Sequence, residues 1–248
     1  MEYSFLLLIF GAGVFAGFLN VLAGGGSLLT LPVLILAGLP ASLANGTNRV
    51  AILVQNVVAV TSFRRQGMVD FRLANRFAIA ALPGAVVGAV VSIKIPEPVF
   101  NGILALVLIG AVFGILVRPR KSSKRSWNQE TGRVTSYLAF LCFGFYGGFI
   151  QAGIGIVFIL ILYGVLGMDL VRVNAFKVYV VGLYTIPALA VFAFAGNVDW
   201  LIGGVLAMGN GIGAFVAARW SMKKGEGLVR WVLAAALVLM AIRIMWSL

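Results

Sequence analysis

Long apolar segments alternate with short polar loops over almost the whole chain. Each apolar segment is 14 to 19 residues long. A helix needs about 20 apolar residues to cross the hydrocarbon core of a bilayer, and helices satisfy their own backbone polar groups there. The pattern therefore predicts an all-α polytopic membrane protein with 8–10 membrane segments. The ten apolar segments are residues 4–22, 26–39, 46–63, 77–93, 99–117, 134–152, 154–168, 178–195, 201–218 and 231–247.

The sequence pattern occurs twice, with a constant offset of 129 residues from about residue 23 to residue 89. The offset aligns the glycine run at 23–26 with Ala152-Gly153-Ile154-Gly155. It also aligns Asn45 with Asn174, and the motif at 67–70 with the motif at 196–199. The chain is therefore predicted to consist of two related halves of about five hydrophobic segments each.

Composition and charge agree with a membrane location. The chain is 62% hydrophobic and 10% charged, with a mean hydropathy of +1.08, whereas soluble domains carry about 25% charged residues. The net charge of +12 is concentrated in short loops between apolar segments. That distribution is typical of cytoplasmic loops and does not favour nucleic-acid binding.

The basic loops also predict orientation. Placing the four basic loops in the cytoplasm puts 16 of the 19 Lys and Arg residues inside. Each half then crosses the membrane an odd number of times, so the halves are inverted repeats and both termini are external. The predicted units are an N-terminal repeat at 1–117, a cytoplasmic linker at 118–133 and a C-terminal repeat at 134–248. The first two segments of each half are either two full spans or a re-entrant hairpin. We expect a multi-pass protein of the inner membrane.

Glycines interrupt the apolar sequence at equivalent places in both halves. Gly24, Gly25 and Gly26 precede Ser27, and Gly153 and Gly155 interrupt the second half. Interior glycine costs a helix about 1 kcal/mol relative to alanine, and irregular backbone inside a membrane is tolerated where it is buried in protein or lines a cavity. We expect glycine-broken helical hairpins whose second segments present N–H groups to an anion. Close helix packing at small residues is the alternative.

Polar residues follow each hairpin where an apolar segment begins. Amides, a hydroxyl and a cation in this position are able to coordinate an oxyanion, and ionisable groups inside a membrane are candidate functional groups. The alternatives are snorkelling of the cations to the interface and simple helix capping. The substrate-binding candidates are Gly24, Gly25, Gly26, Ser27, Asn45, Thr47, Asn48, Arg49, Gln151, Gly153, Gly155, Asn174 and Lys177.

The sequence contains few residues suited to catalysis. It has no histidine, and its seven carboxylates lie in loops or at segment ends. We therefore expect no catalytic residues, no metal and no cofactor. Asp70 and Asp199 are predicted to cap helices.

The stretch Gly17 to Ser27, followed by Leu31-Pro32 and Ala44 to Asn48, resembles the sulfite exporter TauE/SafE family. A looser second copy runs from Gly147 to Gly155 and from Val173 to Lys177. This resemblance covers nearly the whole chain, and it implies movement of small sulfur-containing anions such as sulfite or organosulfonates. Ile154 and Phe176 replace smaller or polar residues of the first copy, so the halves are not expected to contribute equally to a site.

Together these features predict a transporter, not an enzyme, with its substrate between the repeats. Its expected partners are a small anion and the lipid bilayer, and the sequence leaves its oligomeric state open. The alternatives are an anion channel or uniporter, and a membrane subunit that does not transport.

Overall fold

A computed structural model describes residues 3–65, 71–116, 133–158, 162 and 170–220. The predicted linker, the motif at 67–70 with Asp70, and the last apolar segment at 231–247 lie wholly or mostly outside these residues. The described helices are α1 Tyr3–Ala23, α2 Gly26–Leu36, α3 Ala41–Arg65, α4 Phe71–Lys94, α5 Glu97–Leu116, α6 Arg133–Phe149, α7 Ile154–Phe158, α8 Leu170–Phe194 and α9 Trp200–Trp220.

The described helices follow the sequence repeat. A shift of 129 residues carries the described residues of α3, Ala41–Arg65, onto those of α8, Leu170–Phe194. The same shift carries residues 71–91 of α4 onto α9, Trp200–Trp220. The offset read from the sequence therefore also relates helical residues to helical residues.

Four described helices are long and apolar enough to cross a membrane, and their apolar spans are Tyr3–Leu22, Ala74–Lys94, Arg172–Phe194 and Trp200–Arg219. The 25 residues of α3 extend over about 37 Å, but this helix is more polar than those four. Its amides and one of its three arginines are buried, at Asn45, Asn48, Arg49, Gln55 and Asn56. Helix α3 therefore turns a polar face towards the interior of the protein. The predicted all-α membrane fold is confirmed.

Helices of one repeat pack closely against helices of the other at small residues. Helix α1 lies along α9, where a Cβ added to Gly17 would come within 2.7 Å of Asn210 Cα. Helix α6 lies along α4, where a Cβ on Gly148 would come within 2.6 Å of Ala85 Cα. Because α1 corresponds to α6 and α9 to α4, the same pair of helices packs twice, with the repeats exchanged. Each first helix is thus held by the other repeat.

The equivalent helices α3 and α8 run antiparallel. The Arg49 guanidinium lies 4.7 Å from the centre of the Phe192 ring, whereas further along α3 a Cβ on Gly182 would lie 3.3 Å from Asn56 Cβ. Residue numbers thus rise along α3 while they fall along α8. This pair joins the repeats at the centre of the bundle.

Candidate functional site

The two glycine breaks meet at the centre of the molecule. A Cβ added to Gly24 would lie 2.6 Å from Gly155 Cα, so the two backbones touch directly. Gly24 and Gly153 have φ of +75° and +74°, in the left-handed region that favours glycine. The Ser27 hydroxyl donates to the Gln151 carbonyl at 3.2 Å. Breaks that are 129 residues apart in sequence therefore form one structural unit.

The first break is a tight hairpin between α1 and α2. A side chain on Gly26 would collide with Ala16 and Asn20 of the preceding helix. The Gly26 N–H, which was expected to face a ligand, donates to Asn20 Oδ1 at 3.3 Å. One of the free backbone N–H groups at the start of α2 therefore already has a partner, the side-chain carboxamide of Asn20. In the second break Gln151 also has a left-handed backbone, with φ of +58°.

Arg49 secures the end of α6 and does not snorkel. Its side chain is 0% exposed. The guanidinium donates to the carbonyls of Gly147, at 3.0 Å, and Gly148, and to Gln151 Oε1 at 3.1 Å. Helix-end carbonyls lack partners within the helix and carry partial negative charge, so a cation from the other repeat satisfies them here.

Lys177 performs the same task for α1. Its ammonium group donates to the Asn20 carbonyl at 2.8 Å and to Asn174 Oδ1 at 3.0 Å. The side chain is 2% exposed, which rules out snorkelling for this residue too. The end of each broken first helix is therefore bound by a cation of the opposite repeat.

Two of the predicted binding residues, Asn45 and Asn48, hold helices together. Asn45 Nδ2 donates to the Phe149 carbonyl at 2.7 Å and to Ser92 Oγ at 2.9 Å. The hydroxyl of Thr30 on α2 donates to Asn48 Oδ1 at 2.6 Å. These bonds connect α3 to its neighbours on both sides.

Thr47 accepts a hydrogen bond from the Asp199 backbone at 2.9 Å. Asp199 Oδ1 in turn accepts from the Ile202 N–H at 2.9 Å, which confirms the predicted cap of α9. Thr47 therefore fixes the start of α9 and lies away from the glycine crossing.

A small pocket lies beside the crossing, and both repeats form it. Ile52 and Val181 occupy equivalent positions of α3 and α8, so the pocket lies between equivalent faces of the two repeats. Its polar groups come from four helices and from the second break. The lining residues are Asn20, Ser27, Ile52, Asn56, Gln151, Ile154, Gly155, Lys177 and Val181.

The structure divides the predicted site residues into two groups. Ser27, Gln151, Gly155 and Lys177 line the pocket. The other candidates lie outside its lining: Gly24, Gly25, Gly26 and Gly153 shape the breaks, Asn174 positions Lys177, and Asn45, Thr47, Asn48 and Arg49 connect helices.

Sequence reasoning missed two polar lining residues, Asn20 and Asn56. Both carry a signal in the sequence. Asn20 lies about one helical turn before Gly24, and Asn56 lies seven residues after Arg49, a spacing that puts both side chains on one face of α3.

The buried polar residues of the described ranges include the cations Arg49 and Lys177 and include no aspartate or glutamate. The hydrogen bonds described above take both cations to neutral oxygens. The interior near the crossing therefore carries positive charge, which favours an anion over a cation there. In the described ranges no cluster of three or more His, Cys, Asp or Glu side chains is suited to a metal ion.

Comparison with known proteins places these features in a family. The family model for the sulfite exporter TauE/SafE matches residues 9–244. The chain is 28% identical to a probable membrane transporter protein, ORF9, of Sinorhizobium sp over 99% of this chain and 94% of that protein. It is 26% identical to the probable membrane transporter protein YfcA of Escherichia coli over 96% and 89% of the two chains.

The likeness extends to Gram-positive bacteria. The probable membrane transporter protein YjnA of Bacillus subtilis is 25% identical over 98% of this chain and all of that protein. No solved structure matches the chain. Since the family model spans almost the entire sequence and both glycine breaks, the chain belongs to the sulfite exporter TauE/SafE family.

Proposed function

We propose that the protein transports small sulfur-containing anions, of the sulfite or organosulfonate type, out of the cell across the inner membrane. The observation that carries this proposal is the pocket at the glycine crossing, which both repeats form and which a buried lysine lines. Family membership and the names of the relatives support membrane transport. The substrate class and the direction of transport rest on the family description and on the chemistry of the pocket.

The pocket's chemistry suits a small oxyanion. The ammonium group of Lys177 supplies charge, and Asn20, Asn56 and Gln151 supply amides close to it. Charge-assisted hydrogen bonds are roughly twice as strong as neutral ones. Arg49 lies behind Gln151, to which it donates, and adds a second positive charge near the site.

The remaining walls are apolar. Ile52, Ile154 and Val181 line the pocket beside the polar groups. Apolar walls exclude water and strengthen the electrostatic attraction that a cation exerts on a bound anion.

Alternating access between inverted repeats is the mechanism that we infer. The antiparallel packing of α3 against α8 supports repeats of opposite orientation. Phe63, near the end of α3, lies in one hydrophobic cluster with Ala175, near the start of α8, and Ala218, near the end of α9. These three helix ends, and Arg64 with them, therefore lie at the same end of the bundle. By the positive-inside rule that end is cytoplasmic. The repeats at 1–117 and 134–248, joined by a linker at 118–133, would then rock against each other around the pocket.

A channel or uniporter for the same anions is the second candidate. The absence of buried carboxylates from the described residues favours it, because intramembrane acidic groups are the usual proton relays in coupled transporters. The two candidates differ in kinetics. An alternating-access carrier saturates and exchanges labelled for unlabelled substrate, whereas a channel conducts in proportion to the gradient over a wider range.

Reconstitution into proteoliposomes tests the proposal. Vesicles loaded with sulfite, methanesulfonate, phosphate or chloride are diluted into a buffer that lacks the loaded anion. The rate of efflux is then compared with that from protein-free vesicles. We expect saturable efflux of sulfite or the sulfonate and much slower efflux of chloride and phosphate. Folded, reconstituted protein that moves none of the sulfur anions, or that moves chloride equally fast, would refute the proposed substrate class.

A further inference from the structure

The carboxamide of Asn56 is a buried polar group with an incomplete set of partners. The side chain is 1% exposed, and its Nδ2 atom has no hydrogen-bond partner among the described residues. Buried polar atoms in proteins are nearly always hydrogen-bonded, because leaving one unpaired costs free energy. Asn56 also lines the pocket at the glycine crossing. An unpaired donor at the wall of a pocket indicates that its partner enters from outside the chain.

We propose that Asn56 contacts the transported anion directly and, together with Lys177, selects multi-oxygen anions over monatomic halides. This inference rests on the proposed function and identifies the group that determines its selectivity. Asn56 belongs to α3 of the first repeat, and Lys177 belongs to α8 of the second. An anion with several oxygens offers a separate acceptor to each donor, whereas a halide must share one centre between them.

The pseudo-symmetry of the repeats supports a single site. The position equivalent to Asn56 is Thr185, whose hydroxyl accepts from Gln151 Nε2 at 2.9 Å and donates to the Val181 carbonyl at 2.7 Å. The position equivalent to Lys177 is Asn48, which accepts from Thr30. Thr185 therefore has partners within the protein, whereas Asn56 Nδ2 has none among the described residues. Lys177 is hydrogen-bonded to Asn20 and Asn174 and contributes its charge, which the equivalent Asn48 lacks. One donor from the first repeat and one cation from the second thus define a single asymmetric anion site.

A neighbouring residue provides a matched control. Gln55 is also on α3, is 1% exposed, and has a carboxamide nitrogen without a partner among the described residues. It does not line the pocket. If an unpaired buried amide mattered only for packing of α3, substitutions of the two neighbours would have similar effects.

Sulfite binding to purified protein, measured by calorimetry, tests the proposal with Asn56→Leu and Gln55→Leu. Leucine keeps much of the side-chain volume and removes the donor, so it should preserve the fold. We expect Asn56→Leu to weaken sulfite binding by about tenfold or more, the effect of losing a hydrogen bond to a charged group. Chloride, measured as a competitor, should lose much less, so selectivity for sulfite falls. Gln55→Leu should bind sulfite like the wild type.

Thermal unfolding without ligand separates a binding role from a structural one. Because the Asn56 nitrogen has no partner among the described residues, Asn56→Leu should unfold at the wild-type temperature or above. Sulfite affinity that is equal in the two variants, or a loss of sulfite and chloride binding by the same factor, would overturn the role of Asn56. If one of these results is found while the wild type binds sulfite and Lys177→Ala does not, only the role of Asn56 is refuted and the proposed function stands. A wild type that binds neither sulfite nor a sulfonate would refute the proposed function itself.

Discussion

Replacing Gly24 with alanine should destabilise the protein for two reasons at once, a backbone clash and a left-handed φ. The new Cβ would lie 2.6 Å from Gly155 Cα, and the opposing atoms are backbone, which cannot rotate away. Such overpacking costs about 1–3 kcal/mol. The φ of +75° adds the left-handed cost of about 1–2 kcal/mol for a residue with a Cβ. The expected loss is therefore about 2–5 kcal/mol.

Three further glycines separate these causes. Gly38 has φ of +94° with nothing within 4 Å, so Gly38→Ala should carry only the left-handed cost of about 1–2 kcal/mol. Gly155→Ala meets Gly24 but lies within α7, so it should carry the overpacking cost. Gly110 lies in α5 with nothing within 4 Å, so Gly110→Ala should gain up to about 1 kcal/mol from helix propensity.

The assay is the temperature at which detergent-solubilised protein loses its monodisperse peak on size-exclusion chromatography. At about 2–4 °C per kcal/mol for a chain of this length, Gly24→Ala should lower that temperature by about 4–20 °C, and Gly110→Ala should not lower it. The matched pair is Gly24→Ala and Gly38→Ala, since both add a methyl at positive φ. Equal midpoints for these two variants would show that the glycine breaks do not touch.

Three other predictions test the site residues and the proposed orientation. Lys177→Ala should weaken sulfite binding at least tenfold, because a charge-assisted hydrogen bond contributes about 1.5–3 kcal/mol. The control Lys94→Ala removes an exposed lysine and should leave the affinity unchanged. Equal affinities of the two variants would remove Lys177 from the site. Arg49→Ala leaves the buried carbonyls at the end of α6 without their donor, which costs about 1–3 kcal/mol of stability for each carbonyl. The unfolding midpoint of this variant should therefore fall by several degrees. An unchanged midpoint would contradict the capping role of Arg49. In a background without the native cysteine, an impermeant thiol reagent applied outside should label Pro98→Cys and spare Arg65→Cys; the reverse labelling would refute the proposed orientation.

The repeat was predictable because it is carried by residues that tolerate little substitution. A glycine at positive φ and a glycine under a crossing backbone leave no room for a side chain, so both copies keep the signal at one offset. Gly24 and Gly155 illustrate this: the sequence predicted that both interrupt helices, and the structure places Gly24 in the first break against Gly155, which lies in α7 just after the second break. The contact itself was not predictable, because a sequence offset does not report the distance between two copies.

The assignment of polar residues was less predictable. Asn45, Arg49 and Asn56 all lie on the buried side of α3, and helical spacing gives them the same signature. Their roles differ because α6 ends beside the first two and presents carbonyls to them. In the part of the chain that the structure describes, no such carbonyl reaches the Asn56 nitrogen. The sequence identified a polar helix in an apolar protein, but the partner of each side chain depends on where other helices end.

The central claim is that one anion binds between the repeats at the glycine crossing. Anomalous diffraction from crystals of the protein grown with selenite, which presents three oxygens on a selenium atom, tests it most directly. We predict one selenium peak inside the pocket, within hydrogen-bonding reach of Lys177 and Asn56. A selenium peak elsewhere in the protein, or an empty pocket at selenite concentrations that inhibit sulfite efflux, would contradict the account.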